Sequence, residues 1–176
     1  MNGLLLVLLF VVLSHVHFGN SSQAVAHLDS LTIIQQGFYP RRLPNTLYMI
    51  SMLLQLNTSV VDRMIFVWNG SVPDDDKDLV MIEQLAKKND RLVFVNCSMR
   101  NSMNNRWIET IPFIRTRIVV NVDDDLLLAP KAITCAWVMQ THVAPDRLVG
   151  LFARRVNFTG TNVKYHEGEE RIVIGL

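Results

Sequence analysis

Four short aliphatic runs constrain the fold of this chain more than any other feature. They cover residues 31–35, 64–68, 91–95 and 117–122, and two later runs, 148–152 and 171–174, predict further strands. Each run is nearly continuous rather than alternating, which is typical of strands covered by helices on both faces of a sheet. Helical spacing of apolar residues separates them, over 46–56, 79–86 and 130–143. This order predicts an α/β fold with a Rossmann-like, mostly parallel sheet.

The composition excludes several classes of protein. Hydrophobic residues make up 49% of the 176 residues and charged ones 19%, with 8 Gly and 6 Pro, which argues against a disordered or collagen-like chain. A net charge of +1 leaves no basic surplus for nucleic-acid phosphates, so no nucleic-acid partner is expected. Cys97 and Cys135 lack metal-ligand spacing, and we do not predict that they pair.

An unbroken apolar segment, Leu4–Leu13, precedes the predicted domain. A membrane-spanning helix needs about 20 apolar residues, whereas the core of a signal peptide has about 7–15. Small residues at 24–26 offer a cleavage site, although residues 1–3 carry no Lys or Arg. Residues 1–26 therefore predict a signal peptide or a signal-anchor, with a buried core helix as the alternative. Either of the first two would place the rest of the chain in the secretory lumen.

Five sequons for N-glycosylation agree with a secretory destination, although each is weak alone. They begin at Asn20, Asn57, Asn69, Asn96 and Asn157. Asn57 lies in a polar helix-to-strand connection and is the expected glycan site. Asn69 and Asn96 lie at predicted strand ends, where burial would block modification.

A first acidic cluster follows Pro73 and precedes a helical pattern. It consists of Asp74, Asp75, Asp76 and Asp78. Carboxylates at this position accept hydrogen bonds from free backbone N–H groups and oppose the positive end of a helix. We therefore expect a helix cap, with a calcium loop as the alternative.

A second acidic cluster, Asp123, Asp124 and Asp125, ends the apolar run 118–122. Adjacent carboxylates at a buried strand end repel one another and are costly to desolvate without countercharge. Strand alternation places Asp123 and Asp125 on one side and Asp124 on the other. Two carboxylates on one side suit Mg²⁺ or Mn²⁺, which also takes ligands from a phosphate-bearing substrate. An acidic cap on the helix starting at Pro130 is the alternative.

Polar residues near the other predicted strand ends complement these acids, because ligands of parallel sheets bind beyond the carboxyl ends of the strands. Asn69 follows the second strand, and Asn101 and Arg106 lie in the loop before the fourth. An amide and a guanidinium there suit a nucleobase and a phosphate. The apolar side chains of that loop are expected to anchor it in the core: Met103, Trp107 and Ile108.

Five segments together resemble the C-terminal domain of the exostosin family. They are Leu-Thr-Ile-Ile-Gln-Gln (31–36), Val-Trp-Asn (67–69), Asn-Ser-Met-Asn-Asn-Arg (101–106), Val-Asn-Val-Asp-Asp-Asp (120–125) and Leu-Val-Gly-Leu-Phe-Ala-Arg (148–154). This is glycosyltransferase family 64, which includes the exostosin-like α-N-acetylhexosaminyltransferases of heparan sulfate assembly. The resemblance runs in unbroken order over residues 30–176.

The resemblance implies a GT-A fold in which residues 30–176 form the N-terminal, nucleotide-binding portion. It implies a retaining transferase that moves N-acetylhexosamine from a UDP-sugar to a heparan sulfate or other glycosaminoglycan-type acceptor, with Mn²⁺ as cofactor. It also implies a place in the lumen of the endoplasmic reticulum or Golgi. There the protein would be secreted, or anchored to the membrane through its N-terminal segment.

The resemblance also assigns site residues one by one. Positions that contact uridine in the family match Gln36, Asn69, Asn101 and Arg106. An arginine that follows the family's glutamine matches Arg42, with Arg41 as the alternative. Asp123 and Asp124 match carboxylates that face the ribose and the sugar. Asp125 matches the direct Mn²⁺ ligand, and Asp123 is the second candidate ligand.

The family's sequence continues beyond the position of Leu176, and its catalytic Asp and second substrate-binding Arg lie there. We therefore assign no catalytic residue, and we expect the C-terminal part of the fold to be missing and this chain alone to turn over little substrate. The alternative is a non-catalytic lumenal module that binds UDP-sugar and Mn²⁺ and partners a complete transferase. A receiver-like phosphoacceptor is a third interpretation, against which the leader and the sequons argue.

Overall fold

The computed structural model describes residues 29–71, 76–147, 149–159 and 162–174. The leader predicted over 1–26 and the sequon at Asn20 lie outside these residues. None of the described helices is long and apolar enough to span a bilayer. The described chain divides into two compact units, residues 29–130 and residues 131–174.

The first unit is built on a four-stranded sheet in which every neighbouring pair is parallel. Its strands are β1 (Leu31–Gly37), β2 (Val61–Trp68), β3 (Leu92–Asn96) and β4 (Ile118–Asp123), in the order β3-β2-β1-β4. The predicted α/β fold with a parallel sheet is confirmed. β2 begins at Val61 rather than Met64, because Asp62 and Arg63 pair with each other at 3.1 Å and are buried in the strand.

The helices of this unit are α1 (Leu43–Leu53), α2 (Lys77–Lys88) and α3 (Asn105–Ile108). α1 begins before the predicted Thr46 because a 3₁₀ turn over Pro40–Arg42 leads into it and a proline lies in its first turn. It contacts α2 and β2. Its buried side chains follow helical spacing: Leu43, Thr46, Met49, Ile50 and Leu53.

The first acidic cluster caps α2. The Asp76 carboxylate accepts hydrogen bonds from the backbone N–H groups of Asp78 and Leu79, both at 3.1 Å. The expected cap is therefore confirmed for Asp76, whereas Asp74 and Asp75 lie outside the described residues. At the other end of α2, Lys87 pairs with Glu83 one turn earlier at 2.8 Å.

Strands β1 and β2 are buried on both faces, as their continuous apolar runs predict. One face holds a cluster of Ile34, Ile65, Val67 and Val119, with Cys97 beside them. Burying each aliphatic side chain contributes about 1.5–3 kcal/mol to stability. Desolvation raises the pKa of the Cys97 thiol above its ordinary value, so this side chain stays a neutral apolar group near pH 7. Cys97 and Cys135 are both free thiols.

The strand order fixes where a ligand site can form. The chain passes from β1 to β2 on one side of β1 and later returns to β4 on the other side. Gln36 near the end of β1 lies directly opposite Asp123 at the end of β4. In open parallel sheets, ligands bind in the crevice outside the carboxyl ends of two strands where the order reverses in this way.

The second unit contains α4 (Pro130–Val138), a π-helical turn over Met139–Val143, and the antiparallel pair β5 (Val149–Thr159) and β6 (Asn162–Ile174). The sequence predicts a single helix over 130–143 and two shorter strands. Both strands are longer than predicted because a hairpin supplies each with a partner, whereas the prediction followed apolar runs alone.

Candidate functional site

Polar and charged side chains gather at the carboxyl edge of the parallel sheet, within the first unit. The term carboxyl edge is used below for these residues: Gln36, Arg42, Asn69, Asn101, Asn105, Arg106, Asp123, Asp124 and Asp125. They come from the ends of β1 and β4, the residue after β2, and the loop between β3 and β4. The parallel sheet thus brings together residues that are far apart in the sequence.

Asp124 ties the segment after β1 to the end of β4. One of its oxygens accepts a hydrogen bond from Arg42 Nη1 at 2.5 Å, and the other accepts one from the backbone N–H of Phe38 at 3.0 Å. Its side chain is only 9% exposed. The hydrogen bond with Asp124 raises the pKa of Arg42 above its ordinary value, so the guanidinium remains charged.

Asp123 and Asp125 are more exposed, with 58% and 54% of their side chains accessible to solvent. Asp123 Oδ1 lies 3.0 Å from the guanidinium of Arg106, and Asp125 Oδ2 lies 3.4 Å from Arg42 Nη2. The exposed, buried, exposed order of the three acids follows strand alternation. Two arginines therefore supply countercharge to all three carboxylates.

Two buried amides hold the loop between β3 and β4 against the sheet. Gln36 Nε2 and Asn69 Nδ2 both donate to the Ser102 carbonyl, each at 2.9 Å. Arg106 Nε in turn donates to Gln36 Oε1 at 2.5 Å. Gln36 and Asn69 are 6% and 3% exposed, and both amides bond to the protein itself. Their assignment as uridine contacts stays a prediction.

Asn101 and Arg41 are exposed residues of this region. The Asn101 side chain makes no hydrogen bond to any described residue, so its amide is available to a ligand. Arg41 lies 5.4 Å from the ring centroid of Tyr39 and forms no ion pair with a described residue. Arg42 is the arginine that meets the acids, and its match to the family's arginine stays a prediction.

Gly70 allows the segments after β1 and β2 to approach each other. A Cβ at this position would lie 2.2 Å from the Phe38 carbonyl oxygen, a contact that no side chain can make without backbone movement. The backbone N–H of Asn69 donates to the Gly37 carbonyl at 2.9 Å in the same place. Gly70 is therefore a packing requirement of the carboxyl edge.

The prediction that the loop is anchored in the core by apolar side chains is wrong for Met103 and Ile108. Met103 is 68% exposed and Ile108 is 63% exposed. The buried side chains here are Asn105 at 5% and Thr110 at 0%. α3 has only four residues, so it does not present a continuous apolar face to the sheet.

Asn105 is a carboxyl-edge residue that the sequence analysis missed. Its Nδ2 donates to Asn69 Oδ1 at 2.7 Å and to the Arg100 carbonyl at 2.5 Å. The sequence signal was weak, since Asn105 is one of two adjacent asparagines before Arg106. Only the structure separates Asn105, which is buried, from Asn104, which is exposed.

The carboxyl edge combines exposed carboxylate oxygens with guanidinium groups. In the described part of the chain, no three His, Cys, Asp or Glu side chains are grouped to hold a metal ion by themselves. Asp123 Oδ2 and Asp125 Oδ1 accept no hydrogen bond from a described residue and are hard oxygen donors. Hard cations such as Mg²⁺ are commonly held by one or two carboxylates together with substrate phosphates. The residues present fit a cation of this type.

Comparison with known proteins gives two findings. Residues 31–170, from the start of β1 into β6, match the sequence profile described as the Glycosyl transferase family 64 domain. The chain is also 31% identical over 121 residues to glucosamine inositolphosphorylceramide transferase 1 from Arabidopsis thaliana. That match covers 65% of this chain and 14% of the relative, so the chain spans a small part of the relative's length.

Proposed function

We propose that this chain, which belongs to glycosyltransferase family 64, acts as a glycosyltransferase, and that its carboxyl edge binds the nucleoside diphosphate of a UDP-sugar together with Mn²⁺. The observation that carries this proposal is the pairing of Arg42 and Arg106 with three carboxylates where the strand order reverses. Guanidinium groups bind phosphate oxygens, and exposed carboxylates bind a divalent cation. The carboxyl edge therefore offers partners for both the anionic diphosphate and the cation.

Asp125 would hold the ion, with Asp123 as the second ligand. Both are about half exposed, and each keeps one oxygen without a hydrogen bond from a described residue. Mn²⁺ supplies positive charge that stabilises the departing diphosphate when the glycosidic bond breaks. Asp124 is buried and bonded through both oxygens, so its contribution is to hold Arg42 beside Asp125.

The chain's own donors would orient the nucleotide. A guanidinium carries five N–H groups. Arg106 uses some of them on Gln36 and Asp123, and the rest remain for a phosphate or ribose oxygen. The exposed amide of Asn101 suits the polar edge of a uracil ring. Holding the donor in one orientation lowers the entropic part of the reaction barrier.

We propose N-acetylhexosamine transfer with retention at the anomeric carbon, as the resemblance implies. The bond between the anomeric carbon and the UDP oxygen breaks, and its electron pair leaves with UDP. An acceptor hydroxyl oxygen bonds to the anomeric carbon on the same face, and its proton passes to the departing diphosphate oxygen. The described residues supply donor binding in this scheme.

The acceptor is proposed as a glycosaminoglycan-type chain. The name of the Arabidopsis relative points to another acceptor class, inositolphosphorylceramide, and names glucosamine as the sugar. Offering both acceptors with the same radiolabelled UDP-N-acetylhexosamine distinguishes the two. Label in the polysaccharide supports the proposal, and label in the lipid fraction replaces it with the second acceptor.

A secretory location is also proposed, and the sequons provide its test. Asn57 is exposed, its Oδ1 accepts a hydrogen bond from the backbone N–H of Ser59, and its Nδ2 makes no hydrogen bond to a described residue. Asn96 is exposed too, contrary to its expected burial, whereas Asn69 is buried and bonded through both its side-chain nitrogen and its side-chain oxygen. Expression in secretory cells should give a glycosidase-sensitive mobility shift that shrinks in Ser59→Ala. A chain without glycans would contradict the location.

Calorimetry of UDP binding tests the nucleotide site. We expect binding that requires Mn²⁺ and weakens at least 100-fold in Asp125→Asn, because the variant loses the anionic metal ligand. Asp90→Asn is the matched control, since Asp90 is exposed and precedes β3 at the opposite edge of the sheet. Equal UDP affinity with and without Mn²⁺ would defeat the proposal. UDP binding without sugar transfer to any acceptor would support a non-catalytic module that partners a complete transferase.

A further inference from the structure

Two side chains assigned to the ligand, Asn101 and Arg106, lie in a loop that two of the expected apolar anchors, Met103 and Ile108, do not hold in the core. Met103 and Ile108 point to solvent, and the buried side chain between them is Asn105. We propose that Asn105 is the positioning residue of this site: it holds the loop so that Asn101 and Arg106 meet the nucleotide. This inference rests on the proposed function, because it names the residue that shapes the same site.

Asn105 links the loop to the sheet. Its Nδ2 donates to the side chain of Asn69, which directly follows β2, and to the Arg100 carbonyl within the loop. One buried amide therefore fastens the beginning of the loop and joins it to a strand end. Asn104 is exposed and forms no side-chain hydrogen bond at the start of α3, so it has no such role.

Asn105 also decides how the Asn69 amide is oriented. A primary amide has one acceptor oxygen and two donor hydrogens on nitrogen. Because Asn105 donates to Asn69 Oδ1, the nitrogen of Asn69 is turned toward the Ser102 carbonyl, to which it donates. Without Asn105, the Asn69 amide would lose the contact that fixes this orientation, and the Ser102 carbonyl would lose a reliable donor.

The Ser102 carbonyl also connects Asn69 to Gln36 and, through Gln36, to Arg106. It accepts a second hydrogen bond from Gln36, whose oxygen accepts from Arg106 Nε. Arg106 reaches Asp123 at 3.0 Å from this position. A continuous set of hydrogen bonds therefore runs from Asn105 to the acid at the end of β4, and each member is oriented by its neighbour.

Asn101 is held from both sides. The carbonyl of Arg100 before it accepts from Asn105, and the carbonyl of Ser102 after it accepts from Asn69 and Gln36. Its own amide is exposed and has no hydrogen bond to a described residue. The loop thus fixes the backbone on each side of Asn101 and leaves its side chain free to bind.

The first test measures UDP affinity in the presence of Mn²⁺ by calorimetry on the full chain. Asn105→Ala should raise the dissociation constant about tenfold, because a buried pair of hydrogen bonds is lost. Asn104→Ala is the matched control and should change it less than about twofold. If Asn105→Ala does not fold, Asn105→Ser serves instead, since its side chain is too short to bridge both partners. Unchanged affinity in a folded Asn105 variant would overturn the proposal.

A double-mutant cycle separates positioning from a general loss of stability. Asn101→Ala should weaken UDP binding in the natural chain but have little further effect in Asn105→Ala, because the loop no longer presents Asn101. A purely structural role for Asn105 would give additive losses, and additive losses would overturn the positioning role. Thermal unfolding of each variant checks that the measured chains are folded.

Hydrogen exchange distinguishes the failure of this proposal from failure of the proposed function. In Asn105→Ala, amides of residues 100–106 should exchange at least about tenfold faster while those of β1 and β2 stay protected. A natural chain that does not bind UDP would overturn the proposed function and with it the nucleotide role of Asn105. A natural chain that binds UDP, with loop exchange unchanged in the variant, would overturn the positioning role alone.

Discussion

The two edges of the parallel sheet use arginine in different ways. At the amino edge, the Arg91 guanidinium donates to four backbone carbonyls, those of Leu54, Leu56, Val61 and Asp62, at 2.6–3.2 Å. At the carboxyl edge, Arg42 and Arg106 meet carboxylates instead. Neutral carbonyls offer a guanidinium hydrogen bonds but no charge, whereas half-exposed carboxylates also suit the cation proposed above. Arg91 therefore stabilises the fold, whereas the carboxyl edge has charged side chains that are accessible to a ligand.

The largest expected effect is the loss of Arg91. Arg91→Ala leaves four carbonyls without their donor, and we expect a loss of about 3 kcal/mol in the free energy of unfolding. Denaturant unfolding measures it. The control is Arg117→Ala, since Arg117 pairs with Asp29 through two exposed side chains and such pairs contribute about 0–1 kcal/mol. Equal losses of stability in the two variants would show that Arg91 stabilises the fold no more than an exposed arginine does.

Gly70→Ala tests the close approach that shapes the carboxyl edge. A methyl group 2.2 Å from the Phe38 carbonyl forces the segments after β1 and β2 apart. We expect a loss of about 2 kcal/mol in stability, typical of overpacking at a tight site. Because Asn69 is adjacent, UDP affinity should fall as well. A variant with natural stability and affinity would show that this approach is not required.

Arg106→Gln sharpens the comparison from the ligand side. The variant keeps a polar side chain but loses the guanidinium that faces Asp123. UDP affinity should fall about tenfold, equivalent to about 1.4 kcal/mol. The loss in the free energy of unfolding should be smaller than the loss in Arg91→Ala. A fall in stability as large as that of Arg91→Ala, with affinity unchanged, would place Arg106 among the structural arginines.

The smallest expected effect concerns Cys97, where β3 ends at the carboxyl edge. Burial, followed by the nearby charge of Glu109, raises the pKa of this thiol. The thiolate is the reactive form, so alkylation by iodoacetamide at pH 8 should be several times slower than in the unfolded chain. Stability should decline as the pH rises above the ordinary thiol pKa, because the unfolded chain then ionises and the folded chain does not. Equal rates in both states would contradict the assigned burial.

The sequence predicts the sheet well because its strands are apolar on both faces. β1 and β4 follow the predicted runs closely, and the cap of α2 follows from Asp76 next to a helical pattern. Apolar runs alone do not predict the pairing of β5 with β6. Continuous apolar runs mark parallel, buried strands, and a hairpin gains its length from a partner that the run does not reveal.

The candidate site was predicted in part. Asp123, Asp125 and Arg106 could be selected because charge at the end of an apolar strand is unusual and the loop lies at the same edge. The partners of each acid could not be read from the sequence, since Arg42 and Asp124 are 82 residues apart in the chain. Asn105 was missed for a related reason, as its role depends on which of two adjacent asparagines turns inward.

A crystal structure of the chain with UDP and Mn²⁺ would show whether the carboxyl edge binds both of them. Anomalous scattering from manganese locates the ion independently of the protein density. We expect the ion against the Asp125 carboxylate, the diphosphate beside it, and the uridine at the loop that carries Asn101. An ion and nucleotide bound away from the end of β4, with Arg42 and Arg106 still paired as described here, would contradict this expectation.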